Sequence, residues 1–417
     1  MGVAGEAEGL NVLKCNLTEF FSDLEGRLAL LTGKVSYEEF GLSLEDIRKP
    51  MLVVGLPGIG KTAGIISIIK KYNEVLPPEK RLGFKKILLG QTVVGSMQGI
   101  PVNVNGKVVR VQMPDLPSVA DDGEYGVLFL DEITTADEMQ IQPALGLCDD
   151  SRNLGTYTLP GHWLVVAAGN GPECANFVKM DDMTLSRFAC YDIAYDYKTD
   201  WRPYAHKTGI NEDIIAFLNF KPDACVRVES NDMHIAGKMF PCPRTWERLS
   251  KDLAMRAALQ REVSFAQMPN FSSRIIGSVA ASEFSAFLAF KTRLNYSPDK
   301  ILAGKEKKPG NMQPEEFHIL LEACLKKLKV AVETTRDSDG NHPLETYMLL
   351  VNFMNWILDM MSFEFQVNTI VEMKQINDIK MILVDDDFVD LCPRFGEFFE
   401  AHGDVLIDSM DRVESYF

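Results

Sequence analysis

The apolar residues of this 417-residue chain change rhythm along its length, and the rhythm predicts its elements. Leu13, Leu17, Phe20, Phe21, Leu24, Leu28 and Leu31 recur at helical spacing, which predicts helical turns over residues 1–46, with Gly33 stopping the run. From Pro50 the apolar residues gather into short runs: Met51–Val54, Lys86–Leu89, Val127–Leu130, Trp163–Ala168 and Ala189–Ala194. Five such runs, bounded by turn residues and separated by helical stretches, predict an α/β core with a five-stranded parallel sheet flanked by helices. Two stretches interrupt this alternation. In Pro101–Val111 valines alternate on either side of Asn105–Gly106, a dipeptide suited to a two-residue hairpin because both residues tolerate positive φ. Leu154–Trp163 predicts a second hairpin, with Gly155 and Pro160–Gly161 at its turns. Helical periodicity returns after residue 200: Ile214, Ile215, Phe217 and Leu218 mark one helix, Trp246, Leu249 and Leu253 another, and Val279–Phe290 a third. Beyond Lys305–Asn311, rich in Lys, Pro and Gly, it continues through Phe317–Val332 and Leu344–Met361. The expected divisions are a helical segment over 1–46, the α/β core over 47–200, an all-α domain over 201–292 and a helical C-terminal extension over 293–417.

One stretch of the core holds chemistry that periodicity does not demand. Gly55-Leu-Pro-Gly-Ile-Gly-Lys-Thr62 fits G-x-x-x-x-G-K-[ST] in full, after an apolar strand and before the helical run Ala63–Lys71. Its glycines let backbone N–H groups turn inward around phosphates, and the helix N-terminus adds the positive end of its dipole. Gly55, Pro57, Gly58, Ile59, Gly60, Lys61, Thr62 and Ala63 are therefore expected to hold ATP, with Lys61 at the β and γ phosphates and Thr62 on Mg2+. Val127–Leu130 ends in Asp131–Glu132. Asp131, at the C-terminal edge of the sheet, is expected to hold Mg2+, and Glu132 to act as general base on the attacking water. An apolar strand ending in two acids is common; the phosphate loop upstream is what makes this pair a hydrolytic site.

In this order the motifs resemble the AAA+ family, and within it the MoxR-like and dynein-related ATPases, over about residues 48–290. The resemblance implies an AAA+ P-loop core carrying the hairpins as insertions, and an α-helical lid over 201–292. Ala167-Ala-Gly-Asn170 is similar to the family's sensor 1, with Asn170 polarising the water or the γ-phosphate. Taken alone, Asn170 reads as an ordinary turn residue. Thr184-Leu-Ser-Arg-Phe188 resembles the element L-x-x-R-F, whose arginine, here Arg187, reaches the ATP of the neighbouring subunit. Taken alone, Arg187 reads as a surface salt bridge. Pro241-Cys-Pro-Arg-Thr-Trp246 resembles sensor 2, in which Arg244 touches the γ-phosphate of its own subunit; the plainer reading is a solvent-facing arginine at a helix start. Gly99-Ile-Pro101, Tyr157-Thr-Leu-Pro160 and Trp201–Leu218 look like the same subgroup. The implied function is an ATPase motor that forms a ring, six subunits being the family's usual count, and remodels a protein client. Clients in this subgroup frequently contain a von Willebrand factor A-like domain, and the inserted hairpins line the axial face of the ring. A nucleotide-gated scaffold with slow hydrolysis is the alternative. Residues 1–45 and those after about 295 match no motif of the family.

Composition narrows this further. With 43 basic against 59 acidic residues the net charge is -16, which disfavours a nucleic-acid motor because a basic face is the expected footprint. The acidic end, 385–417, is punctuated by Phe388, Phe395, Phe398 and Phe399, which predicts a helical end packed on its own domain; a docking surface for a basic partner is the alternative. The eight cysteines are scattered without a C-x-x-C pair, as expected of reduced thiols in a cytoplasmic protein. The N-terminus has no signal-peptide pattern, and no stretch approaches the roughly 20 apolar residues of a membrane span. Arg336–Asn341 reads as a turn, and His162, His206 and His234 as structural.

Overall fold

The computed structural model describes residues 12–402, apart from 93–96, 98, 173, 175–176, 228–238, 292–293, 295, 307–311, 337–341, 360–361, 375 and 384. His234, residues 337–341 and the acidic end beyond residue 402 lie outside the described residues. The chain divides into two compact units, one of described residues up to Asp196, the other of Tyr197–Arg227 and those after residue 238.

The strands of the first unit are β1 (Lys14–Cys15), β2 (Met51–Val54), β3 (Leu82–Leu88), β4 (Ile100–Val104), β5 (Lys107–Val111), β6 (Tyr125–Asp131), β7 (Asn153–Leu154), β8 (Tyr157–Thr158), β9 (His162–Gly169) and β10 (Ala189–Ile193). Its main sheet runs β1-β10-β2-β9-β6-β3, parallel throughout. This is an α/β fold with a parallel sheet flanked by helices, as expected. The centre of the sheet explains its sequence: β2 and most of β6 and β9 are buried on both faces, so their apolar runs are unbroken. The sheet has six strands rather than the five expected. The sixth, β1, pairs with β10 inside the segment read as helical, and two residues are too few to leave an alternating pattern. At the other edge β3 begins four residues before the expected Lys86, because a half-exposed edge strand mixes lysine with apolar residues.

The helix Leu17–Leu31 starts on a capping box made by Asn16 and Glu19 and buries Leu17, Phe20, Leu24, Leu28 and Leu31. It is tied to the core by Tyr72, whose hydroxyl donates to the Glu25 carbonyl at 2.8 Å, and by Tyr191, which donates to Asp23 at 2.8 Å. β4 and β5 form the expected hairpin, turning at Asn105 (φ 52°) and Gly106 (φ 81°), and all ten strand residues are exposed. The second hairpin is shorter than expected: β7 and β8 turn at Gly155–Thr156, while Pro160 and Gly161 lead into β9, which takes Trp163 into the main sheet. Leu154 and Leu159 are buried, which draws the chain back to the core before it can extend.

The second unit is helical. Helices Glu212–Phe220, Pro243–Ala258 and Ser278–Lys291 meet where Phe217 packs on Trp246, Phe284 and Phe287, with ring centroids 5.5–5.6 Å apart. Helices Pro314–Thr335, Leu344–Leu358 and Phe363–Lys374 build a core around Leu320, Phe353 and Ile370. Phe388 and Phe395 join that core, so the described part of the acidic end packs on its own domain, as expected. Buried polar pairs cross this unit. Arg202 donates to Glu372 at 2.9 Å, Asn219 donates to Glu322 at 2.8 Å, and the Tyr197 hydroxyl donates to Asn219 at 2.9 Å. Burial, and next the Glu372 carboxylate, raises the Glu322 carboxyl well above its ordinary range. Burial, with Arg202 and Lys329 adding to it, pushes His206 down to about 3. Its Nδ1 stands 3.9 Å from Glu322, beyond hydrogen-bond reach. Among the described residues no helix is long and apolar enough to cross a membrane.

Candidate nucleotide site

The phosphate loop leaves the C-terminal end of β2 and closes on the helix Lys61–Val75. Its backbone conformation requires glycine: Gly58 sits at φ 80° and Gly60, the N-cap, at φ 104°. The N-cap has no side chain to satisfy the first N–H groups of the helix. Lys61 is buried, and its Nζ donates to the carbonyls of Gly55 at 2.7 Å and Leu56 at 2.9 Å. Ile59 is buried beneath the loop, while Thr62 is half-buried and Ala63 exposed. Gly55 N–H donates to the Gly169 carbonyl at 3.3 Å, which seats the start of the loop against the end of β9.

Asp131 and Glu132 close β6, two strands from β2. Asp131 accepts from Lys86 at 2.6 Å and from the Glu132 backbone N–H at 3.0 Å. Carboxylate oxygens are the ligands that hard cations such as Mg2+ take, the role expected of Asp131. Glu132 adopts a left-handed conformation, φ 60° and ψ 32°, sparsely populated for glutamate and costing of order 1 kcal/mol. The short turn Ile133–Thr135 that follows holds it there, since the Glu132 carbonyl accepts from Thr135 N–H at 3.0 Å and from its hydroxyl at 2.9 Å.

Asn170 follows β9, adjacent to β2, at the same end of the sheet. A residue without a motif sets its position. The fully buried Thr134 hydroxyl accepts from Asn170 N–H at 2.8 Å and donates to the Asn170 carbonyl at 3.1 Å. A Cβ on Gly169 would lie 2.4 Å from the Thr134 methyl, so only glycine admits this contact. The side-chain amide of Asn170 has no partner among the described residues. The geometry thus gathers the loop, Asp131, Glu132 and Asn170 at the C-terminal end of the sheet, where α/β folds bind ligands.

Arg187 stands at the opposite end. It precedes β10, whose first residue Ala189 lies in register with Met51, the first residue of β2. Between it and the phosphate loop runs the whole of β2, four residues or about 13 Å of strand. The short helix Asp182–Leu185 is capped by Asp181, and Phe188 is buried, so Arg187 projects from an anchored turn. Its Nε donates to Asp149 and its Nη1 to the Met183 carbonyl at 3.2 Å. The surface salt bridge that the residue alone predicts is therefore present. Beside it lies a cavity of about 700 Å3 in which Arg48, Lys49, Arg152 and Arg187 face an equal number of carboxylates, so the cavity as a whole favours no anion. Arg244 belongs to the second unit, exposed at the second position of Pro243–Ala258, a helix begun by Pro243 and capped through Thr245 and Cys242.

No family model and no curated protein sequence matches the chain. Among solved structures it is similar to a closed-state reconstruction of Hsp104 with ATPγS and FITC-casein, at 17% identity and a TM-score of 0.34, covering 58% of this chain and 48% of that one. It is similar to PCH-2 of C. elegans at 13% identity and a TM-score of 0.29, covering 66% and 67%. A point mutant of RuvB from Thermotoga maritima follows at 16% identity and a TM-score of 0.30, covering 70% and 80%. The chain spans about half (48%) of the Hsp104 chain it matches.

Proposed function

We propose that the chain is an ATP-hydrolysing AAA+ motor of MoxR-like type that forms a ring and remodels a protein client. The observation that carries this reading is the division of the site: the phosphate loop, Asp131, Glu132 and Asn170 lie at one end of the sheet and Arg187 at the other. An arginine about 13 Å of strand away from its own loop serves the reaction only in a neighbouring copy. That favours an oligomer, and a hexamer is the count the motif order implies.

In this reading the backbone N–H groups of Gly58–Thr62 bind the phosphates of ATP, and Lys61 turns from the carbonyls of Gly55 and Leu56 to the β and γ phosphates. Thr62 and Asp131 would hold Mg2+, which when bound neutralises charge on those phosphates. Glu132 takes a proton from the attacking water; the water oxygen bonds to the γ-phosphorus as its bond to the β-bridging oxygen breaks, leaving ADP and phosphate. Asn170 orients the water. Arg187 of the neighbouring copy stabilises charge on the equatorial γ oxygens, and Arg244 of the same chain senses the γ-phosphate for the lid, residues 201–292. The hairpin β4–β5 is the client-facing projection, and a client with a von Willebrand factor A-like domain in the cytoplasm fits the subgroup. In sequence, residues 1–46 precede the core 47–200 and residues 293–417 follow the lid.

Glu132→Gln tests the hydrolytic claim. Turnover should fall by roughly 10²–10⁴-fold, the worth of a general base, while ATP affinity stays within about twofold. Wild-type steady-state turnover in that variant would sink the assignment.

A further inference from the structure

We propose that Asp149 is a positioning residue for Arg187, holding its guanidinium ready for the neighbouring copy's ATP. The proposal rests on the reading that Arg187 acts in trans.

Asp149 lies on the turn after helix Glu138–Leu145, between anchored residues. Leu147 and Cys148 before it are buried, and Arg152 after it is 5% exposed, with its guanidinium donating to the carbonyls of Pro160 and Trp163. The Arg152 backbone N–H donates to the Asp149 carbonyl at 2.9 Å, which closes the turn. The carboxylate is therefore presented from a rigid base, although its side chain is 42% exposed. It accepts from Nε of Arg187, the inner nitrogen, while the Met183 carbonyl takes one N–H of Nη1. Arginine has five N–H donors, so three remain, both of those on Nη2 among them. Among the described residues Nη2 has no partner. An ion pair that engages the inner nitrogen and leaves the outer fork clear fixes an aim; it does not cancel the finger. A pair this exposed contributes little to folding, so a role in holding the fork can be separated from a role in holding the fold.

Directional complementation tests this. Arg187→Ala chains keep a complete loop and Glu132 but lend no finger; Glu132→Gln chains lend a finger but cannot hydrolyse. Mixed, they should turn over ATP only at interfaces where the Glu132→Gln chain lends Arg187. Adding Asp149→Ala to the lender should lower that turnover by about ten- to thirtyfold, the worth of the side-chain freedom then left unrestrained. The KM for ATP should hold, and Asp149→Glu should restore part of the loss. Adding Asp149→Ala to the borrower should leave the mixture as it was, since its finger is already gone. Full turnover with the altered lender, or an equal loss in both arms, overturns the role of Asp149. A parent mixture with no turnover overturns the trans reading, and this proposal with it.

Discussion

Thr134 shows how far the site depends on residues without a signature. Its hydroxyl both accepts from and donates to the backbone of Asn170, linking the turn that holds Glu132 to the end of β9. Thr134→Val keeps the shape and deletes both bonds, leaving the Asn170 N–H unpaired at a cost of about 1–3 kcal/mol. We expect kcat to fall about tenfold or more while ATP affinity changes less than about threefold, read by steady-state kinetics and equilibrium nucleotide binding. An unchanged kcat would show that Asn170 holds its place without Thr134. The loop from Gly55 to Thr62, with Asp131 and Glu132, is legible in the sequence because phosphate chemistry fixes residue types at fixed spacing. Thr134 and Gly169 are not legible, since their contact joins positions 35 residues apart through one methyl and one missing Cβ. Nor is the left-handed Glu132, because nothing about glutamate announces that conformation.

Among the elements, the β4–β5 hairpin is the one whose role can be cut away from the engine. Among the described residues its two strands pair with each other and with no other strand, and Val102, Val104, Val108 and Val109 are 39%, 49%, 74% and 49% exposed. Excising Val102–Val109 should leave ATP affinity and the thermal midpoint near wild type, and remove the proteins that copurify with Glu132→Gln held in ATP. A full set of copurifying proteins after the excision would reject the hairpin as the client-facing element. Its turn was readable because Asn105–Gly106 suits positive φ at both positions. The second hairpin turns at Gly155 as expected but stops short of Trp163, because Pro160–Gly161 leads into β9 and the buried Leu154 and Leu159 hold the hairpin close to the core. β1 escaped for another reason: its partner β10 lies 178 residues away (Lys14 pairs with Asp192), and pairing at that separation leaves no local pattern.

At the scale of the whole molecule, acid should act first on the helical unit. His206 and His318, buried, are held at about 3 and about 4, whereas both titrate near 6.5 once unfolded. Between those values the unfolded chain binds more protons, so this contribution to stability is lost as pH falls from about 6.5 toward 4. Glu322 has the opposite sign: its raised pKa weakens the fold as pH rises through that value. We expect His206→Gln to flatten the decline of the thermal midpoint between pH 6.5 and 4; equal slopes in variant and parent would remove His206 from the cause. The helices that carry these groups were foreseeable from apolar spacing, but the charged residues buried between them were not, because Arg202 and Glu372 meet across 170 positions. The exposed hairpin has a last consequence, for mutational freedom. None of its ten strand residues helps to fill a core, and surface substitutions of that kind shift stability by no more than about 0.5 kcal/mol. Its sequence can therefore drift under selection by whatever it touches, while the sheet beneath stays fixed.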